Sequence, residues 1–181
     1  MYHGSNPTAL QSQKMIVEAL LELMKEKEFA KINIKELCEK AMISRQTFYT
    51  LFDGKEEVIE LHLDTLFHTY VERYLQDENS RMLKELCDNT IAYMIQNKEL
   101  ICLMVRSNLD HLVKNKIEYY LSDLDSLLRS SQTADRDYAI SFLAGGLMSV
   151  ISRAVKNNDF EDGAMISQLM ESIFTGSCFC I

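Results

Sequence analysis

The 181-residue sequence predicts an all-α protein in two parts: an N-terminal three-helix helix-turn-helix head over residues 8–54 and a helical-bundle body over residues 55–181. Three observations carry that expectation. The single proline, Pro7, stands at the start, so no later residue interrupts a helix by lacking its N–H. Apolar residues recur at i, i+3, i+4 and i+7 in successive segments, and no alternating stretch lasts long enough for a competing strand. A chain of this length buries a real core, which suits one small head and one larger body.

Residues Met1 to Asn6 read as a loose arm, since they hold no Lys or Arg to place in a DNA groove. From about Thr8 to Lys27 a helix carries Ile16, Ala19, Leu20 and Leu23 on one stripe, and Phe29 and Ile32 close a small core behind it. The stretch IKELCEKAMISRQTFYTL, Ile34 to Leu51, then reads as helix, turn, helix. Leu37, Ala41, Ile43, Phe48 and Leu51 point inward, and the small Cys38 and Ala41 permit a steep crossing. Asn33 is placed to cap the first of these helices while Glu36 reaches back, and Ser44 to cap the second. That leaves Arg45, Gln46, Thr47, Tyr49 and Thr50 on a short second helix, the pattern of a DNA-reading element.

Together with the preceding helix and the following FDGKEEVI, this segment resembles the DNA-binding head of the TetR/AcrR family of bacterial transcriptional regulators, from about Lys14 to about Leu61. The residues that carry the resemblance are Ala19, Phe29, Ile34, Leu37, Ala41, Ser44, Arg45, Thr47, Phe48, Tyr49, Phe52 and Lys55 with Glu56. It implies a repressor that binds a double-stranded DNA operator, with Lys55 as a phosphate contact. Arg45, Gln46 and Thr50 would face base edges; Thr47, Tyr49 and Lys55 would hold phosphates; Ser44 and Asn33 would fix the helix ends. The sequence departs from the family at Met42, where the turn usually carries glycine. A left-handed residue with a Cβ costs about 1–2 kcal/mol, so the turn is expected to be strained or differently shaped.

After Asp53 and Gly54, a long helix from Lys55 to about Gln76 links head to body, and its tilt would swing the reading helix. Further helices are expected from about Ser80 to Gln96, Glu99 to Ser107, Leu109 to Leu128, Asp135 to Asn157 and Asp162 to Thr175, with corners at Asn97, Asn108 and Arg129 to Thr133. In the Asp135 helix, Ile140, Leu143, Leu147 and Ile151 form one face and Tyr138, Phe142, Gly145 and Ser149 another. A helix apolar on two faces needs two packing partners. The final helix shows Ile166, Leu169, Met170, Ile173 and Phe174 on one stripe. A two-fold four-helix interface of a homodimer follows, with Leu143, Gly146, Leu147, Val150, Ile166, Leu169, Met170 and Ile173 as candidate residues and Gly145 and Gly146 allowing close approach. The family's last two helices commonly dimerise in the same way.

The net charge of −8 would by itself argue against nucleic acid. Residues 1–55, however, hold 8 Lys/Arg against 7 Asp/Glu, a net +1, and residues 56–181 hold 11 against 20, a net −9. The negative excess lies in the body, which orients the head toward DNA. Five cysteines, Cys38, Cys87, Cys102, Cys178 and Cys180, form no framework spacing, so a reduced cytoplasmic protein is expected, and the uncharged run Ile140 to Ser152 in the second half is too short to span a bilayer.

Within the body, Phe67, Tyr70, Tyr74, Tyr93, Met94, Met104, Tyr119, Tyr120 and Phe142 form a candidate effector pocket, although a packed core accounts for each equally well. A small molecule or a protein partner fits as effector. No cofactor, metal site or enzymatic activity is expected: His62 and His68 are six residues apart, His111 has only Asp110 beside it, and no nucleophile or phosphate-loop motif occurs. The other reading is a protein-interaction adaptor of the same fold that no longer binds DNA, favoured by Met42 and the acidic total charge.

Overall fold

The computed structural model describes residues 1–2, 4–74, 83–122, 133–160 and 163–177, and among these every regular element is helical. The chain divides into two units, Met1–Leu66 and Phe67–Ile181, and the division falls inside one continuous helix.

In the first unit, α1 (Pro7–Glu26) starts at an Asn6 cap whose side chain accepts from the Thr8 N–H at 3.0 Å, with Pro7 in the first turn, where a missing N–H is harmless. Its inward stripe is Ile16, Ala19, Leu20 and Leu23, as the periodicity predicts. A 3₁₀ turn (Phe29–Lys31) leads into α2 (Ile34–Lys40), and α3 (Arg45–Leu51) crosses beyond it. Phe48 and Leu37 are fully buried at that crossing, alongside Phe52, Leu51, Cys38 and Ala41; Ile43 is half-buried. Removing a buried ring such as Phe48 typically costs about 3–5 kcal/mol.

The turn between α2 and α3 keeps the left-handed form: Met42 has φ 54° with its side chain 83% exposed. Its N–H donates to Glu39 O at 3.2 Å and the Ile43 N–H reaches back to Cys38 O at 3.0 Å. This double closure satisfies carbonyls that the end of α2 leaves open. Asn108 (φ 56°) and Asn158 (φ 61°) close two body helices in the same way, with the Leu109 N–H donating to Met104 O and the Asp159 N–H to Ala154 O. Asparagine tolerates this conformation better than methionine does.

The second unit contains the end of α4 (Lys55–Tyr74), then α5 (Leu83–Gln96), α6 (Lys98–Arg106), α7 (Asp110–Ser122), α8 (Thr133–Asn157) and α9 (Gly163–Phe174). The corners at Asn97 and Asn108 stand where the sequence puts them. Of the corner expected at Arg129 to Thr133, only Thr133 is described, and it is already the first residue of α8; the expected ends at Gln76, Ser80, Leu128 and Asp162 also lie outside the described residues. α8 packs on α7 and α9, and α9 lies along α5. Gly163 lies at that contact, where a Cβ would displace only the terminal methyl of Ile95.

The inward stripe of α8 is Ile140, Ala144, Met148, Ile151 and Val155, so Leu143 and Leu147 are half-exposed rather than sharing the core face with Ile140. By length and mean hydropathy, 1.5 over its best window, Asp135–Asn157 meets the composition of a membrane span. The inward stripe accounts for part of that apolar character, since 39% of the window is buried.

Met42→Gly should stabilise the protein by about 1 kcal/mol, because glycine adopts the left-handed turn without the Cβ penalty. Urea unfolding of both proteins measures this, and a loss of stability would show that the turn draws on the methionine side chain instead.

Candidate nucleic-acid interface

The two N-terminal caps form as the sequence predicts. Asn33 accepts from the Glu36 N–H at 3.0 Å, and Ser44 Oγ accepts from the Thr47 N–H at 2.9 Å. The reciprocal half of the Asn33 box does not form, because the Glu36 carboxylate pairs with Lys27 and ties α2 to the end of α1. Lys40 adds to that tie through Glu26 and Glu22, whose hydrogen bonds raise its ammonium pKa above the ordinary value.

Along α3, Arg45, Gln46, Tyr49 and Thr50 are all exposed, and their spacing puts them on one side of the helix opposite Phe48. Tyr49 sets its ring edge-on to Phe48 at 5.4 Å between centroids, which anchors the ring and leaves its hydroxyl outward. Thr50 donates its hydroxyl proton to Gln46 O at 2.9 Å, so it offers solvent an acceptor and a methyl group. Thr47 is half-buried, with Oγ1 2.8 Å from Ser44 Oγ. Burial pushes the Cys38 thiol pKa up, against an opposing pull from the Arg45 guanidinium, so that cysteine is packing rather than chemistry.

Lys55 differs from the simple phosphate contact that the sequence suggests. Its ammonium donates to Phe29 O and, at 2.8 Å, to Ile32 O, and it stands 4.3 Å from the centroid of the Phe29 ring. Burial lowers its pKa, with the Glu56 carboxylate opposing the shift. An ammonium has three donors, so one remains beyond this clasp.

The N-terminal arm is docked rather than loose. The Tyr2 N–H donates to Leu51 O, the last residue of α3, at 2.9 Å, and the Tyr2 carbonyl accepts from Nε2 of buried Gln13 at 3.0 Å. The Tyr2 hydroxyl accepts from the Asn6 N–H at 3.2 Å. The lone polar side chain of Gln13, beside an apolar helix stripe, was the available signal: a buried amide needs a partner, and the arm supplies it.

The candidate pocket residues of the body divide. Phe67, Tyr70, Tyr93, Met94 and Met104 are buried in packed contacts: Phe67 stacks on Tyr120, Tyr70 lies against Tyr93, and the Tyr70 hydroxyl is 2.7 Å from Thr90 Oγ1. Tyr119 and Phe142 are instead 62% and 67% exposed, so Phe142 stands on the outer side of α8 and lines no internal cavity. The Tyr74 side chain lies outside the described residues.

Of the candidate dimer residues, Leu143, Gly146, Leu147, Val150 and Ile173 are half-exposed and Leu169 is exposed. Ile166 and Met170 are buried in their own unit, each 1% exposed, which removes them from any surface a second copy can use. Gly146 has no heavy atom within 4 Å of where its Cβ would stand, whereas Gly145 borders Lys114 of α7, so the two glycines do not serve one contact. Among the described residues no group of three or more His, Cys, Asp or Glu is placed to hold a metal ion. His68 pairs instead with Glu72. Cys178 and Cys180, and the Cys87 side chain, lie outside the described residues.

Residues 16–61 match the family model described as bacterial regulatory proteins, tetR family. This segment is thus similar to a TetR-type helix-turn-helix head. Over 128 residues the chain is 28% identical to the HTH-type dhaKLM operon transcriptional activator DhaS of Lactococcus lactis subsp. lactis (strain IL1403), covering 63% of this chain and 68% of that protein. Two solved structures share the fold. The dihydroxyacetone kinase operon activator DhaS has a TM-score of 0.56 at 17% identity, over 89% of this chain and 94% of that one. A TetR-like transcriptional regulator from Rhodococcus sp. RHA1 has a TM-score of 0.58 at 14% identity, over 93% and 97%. The segment similar to a TetR-type head thus sits in a chain that shares the all-α fold of these two structures over most of its length.

Lys55→Met should destabilise the DNA-free protein by about 1–3 kcal/mol, because two carbonyls lose a charged donor. Thermal unfolding without DNA reads this out. Unchanged stability would mean that Lys55 has no structural role and is available only for phosphate.

Proposed function

We propose that this protein is a sequence-specific DNA-binding transcriptional regulator that acts as a homodimer. The observation that carries the reading is the exposed row Arg45, Gln46, Tyr49 and Thr50 on a helix held by a capped N-terminus and a buried Phe48, within a segment similar to a TetR-type head. Arg45 and Gln46 are donors long enough for base edges in the major groove, where a guanidinium suits guanine and an amide suits adenine. Thr50, its proton committed to Gln46, would meet a base donor or a thymine methyl. Thr47, Tyr49 and the remaining donor of Lys55 would hold phosphates, with Ser44 and Asn33 fixing the helix ends. A DNA target places the protein in the cytoplasm.

One short helix reads few base pairs, and a two-fold dimer reading half-sites about 34 Å apart multiplies the specificity. The half-exposed Leu143, Gly146, Leu147 and Val150 on α8, with Leu169 and Ile173 on α9, supply the apolar surface for that dimer. An effector acting on the body would work through α4, which runs unbroken across the division between the units. Repression is the sign that the family resemblance implies, but the relative is described as an activator, and that favours activation here. The left-handed turn at Met42 weighs against the adaptor reading, because the geometry that methionine was expected to disturb is retained.

Arg45→Ala combined with Tyr49→Ala should weaken binding to DNA from the regulated promoter by about 10- to 100-fold for the base contact of Arg45 and further for the phosphate contact of Tyr49, with the dimer intact. Fluorescence anisotropy over a salt series tests it, and unchanged selective binding would refute the reading. Gly146→Glu should give a monomer in sedimentation equilibrium with its helix content intact, since the protomer has room for the side chain. A persistent dimer would move the interface elsewhere.

A further inference from the structure

The body carries a groove of about 560 Å³ between α7 and α8 that none of the residues discussed as an effector pocket lines. Its walls bring together Lys114, Arg153, Lys156 and His111, with Ser149 between them and Asp110 as the sole carboxylate among the lining residues. That composition runs against the surroundings. Residues 56–181 hold 20 Asp/Glu against 11 Lys/Arg, yet three of those cations converge on one groove.

The local bonding commits Lys114 and leaves Arg153 and Lys156 available. Asp110 accepts from Ser152 at 3.1 Å, and Lys114 pairs with Glu118 at 2.7 Å on the same helix. Glu118 is further held by Ser141 at 2.8 Å, and these hydrogen bonds, Lys114 first, keep its carboxyl below the ordinary range. Arg153 and Lys156 are exposed and form no ion pair among the described residues. Cations of like sign side by side on an otherwise acidic body raise one another's energy, and an anion that bridges them relieves it.

We propose that this groove binds a small phosphate-bearing anion. A phosphate dianion accepts hydrogen bonds from several directions at once. It suits a guanidinium that donates in a fork, the mobile ammonium of Lys156, a remaining donor of Lys114 and a hydroxyl better than a single carboxylate does. The volume lies in the range of small-ligand sites, large enough for phosphate with a few carbon atoms attached. The proposal uses the body alone and no DNA contact, so it stands or falls separately from the reading of the head.

The test follows thermal unfolding and calorimetry of the full chain without DNA, with inorganic phosphate, glycerol 3-phosphate or glycerol at matched ionic strength. Saturable stabilisation by either phosphate compound but not by glycerol is expected. Phosphate binding as tightly as its ester would identify the free ion, and a tighter ester would identify a phosphorylated metabolite. Arg153→Gln with Lys156→Gln should weaken binding about 10-fold or more, since two charged hydrogen-bonding partners are lost. Both substitutions are on exposed positions, and circular dichroism checks the fold. No saturable binding, or equal binding by the double variant, would overturn the proposal. So would a shift of the double variant toward monomer, which would assign the cations to contact with a second copy's carboxylates.

Discussion

The corner between α2 and α3 is the constraint on which the head depends. Seven-residue helices have little stability of their own, so α2 and α3 persist because Phe48 and Leu37 are sealed between them and α1. That seal closes only if the chain reverses within a few residues, and the reversal requires one left-handed residue. Met42 adopts it with its side chain in solvent, while the Ile43 N–H reaches back to Cys38 O. The backbone of the exposed row on α3 is therefore fixed by what lies behind it, and its side chains are left to be chosen for what they touch.

Much of this was legible in the residues. The period of Ile16, Ala19, Leu20 and Leu23, the caps at Asn33 and Ser44, and the corners at Asn97 and Asn108 follow from local rules in which one residue satisfies one backbone group. Harder to read were contacts joining residues far apart in sequence. The docking of Tyr2 against Leu51, the clasp of Lys55 on Phe29 and Ile32, and the diversion of Glu36 to Lys27 depend on which groups folding brings together. No spacing rule encodes them, although buried Gln13 hints at the first.

The α8 helix shows a different limit. Its sequence is apolar around most of its circumference, so periodicity supports more than one inward stripe. Packing on α7 and α9 selects Ile140, Ala144, Met148 and Ile151, one step away from the stripe through Leu143 and Leu147. The same selection puts Phe142 outside and turns Ile166 and Met170 of α9 inside. Aromatic residues that suggest a pocket in sequence become a packed cluster around Phe67, Tyr70 and Tyr93 instead, while the cations of the α7–α8 groove, separated by about forty positions, show no pattern before folding.

The Lys55 clasp has a mechanical meaning. Asp53 and Gly54 would by themselves make a slack hinge, at which a turn of α4 about its axis would be lost before reaching the reading helix. With the first residue of α4 fastened to the carbonyls of Phe29 and Ile32, that hinge is bypassed by a second strap of charged hydrogen bonds. The start of α4 is thereby tied into the head at a second place besides the peptide chain, which resists a bend at Asp53 and Gly54.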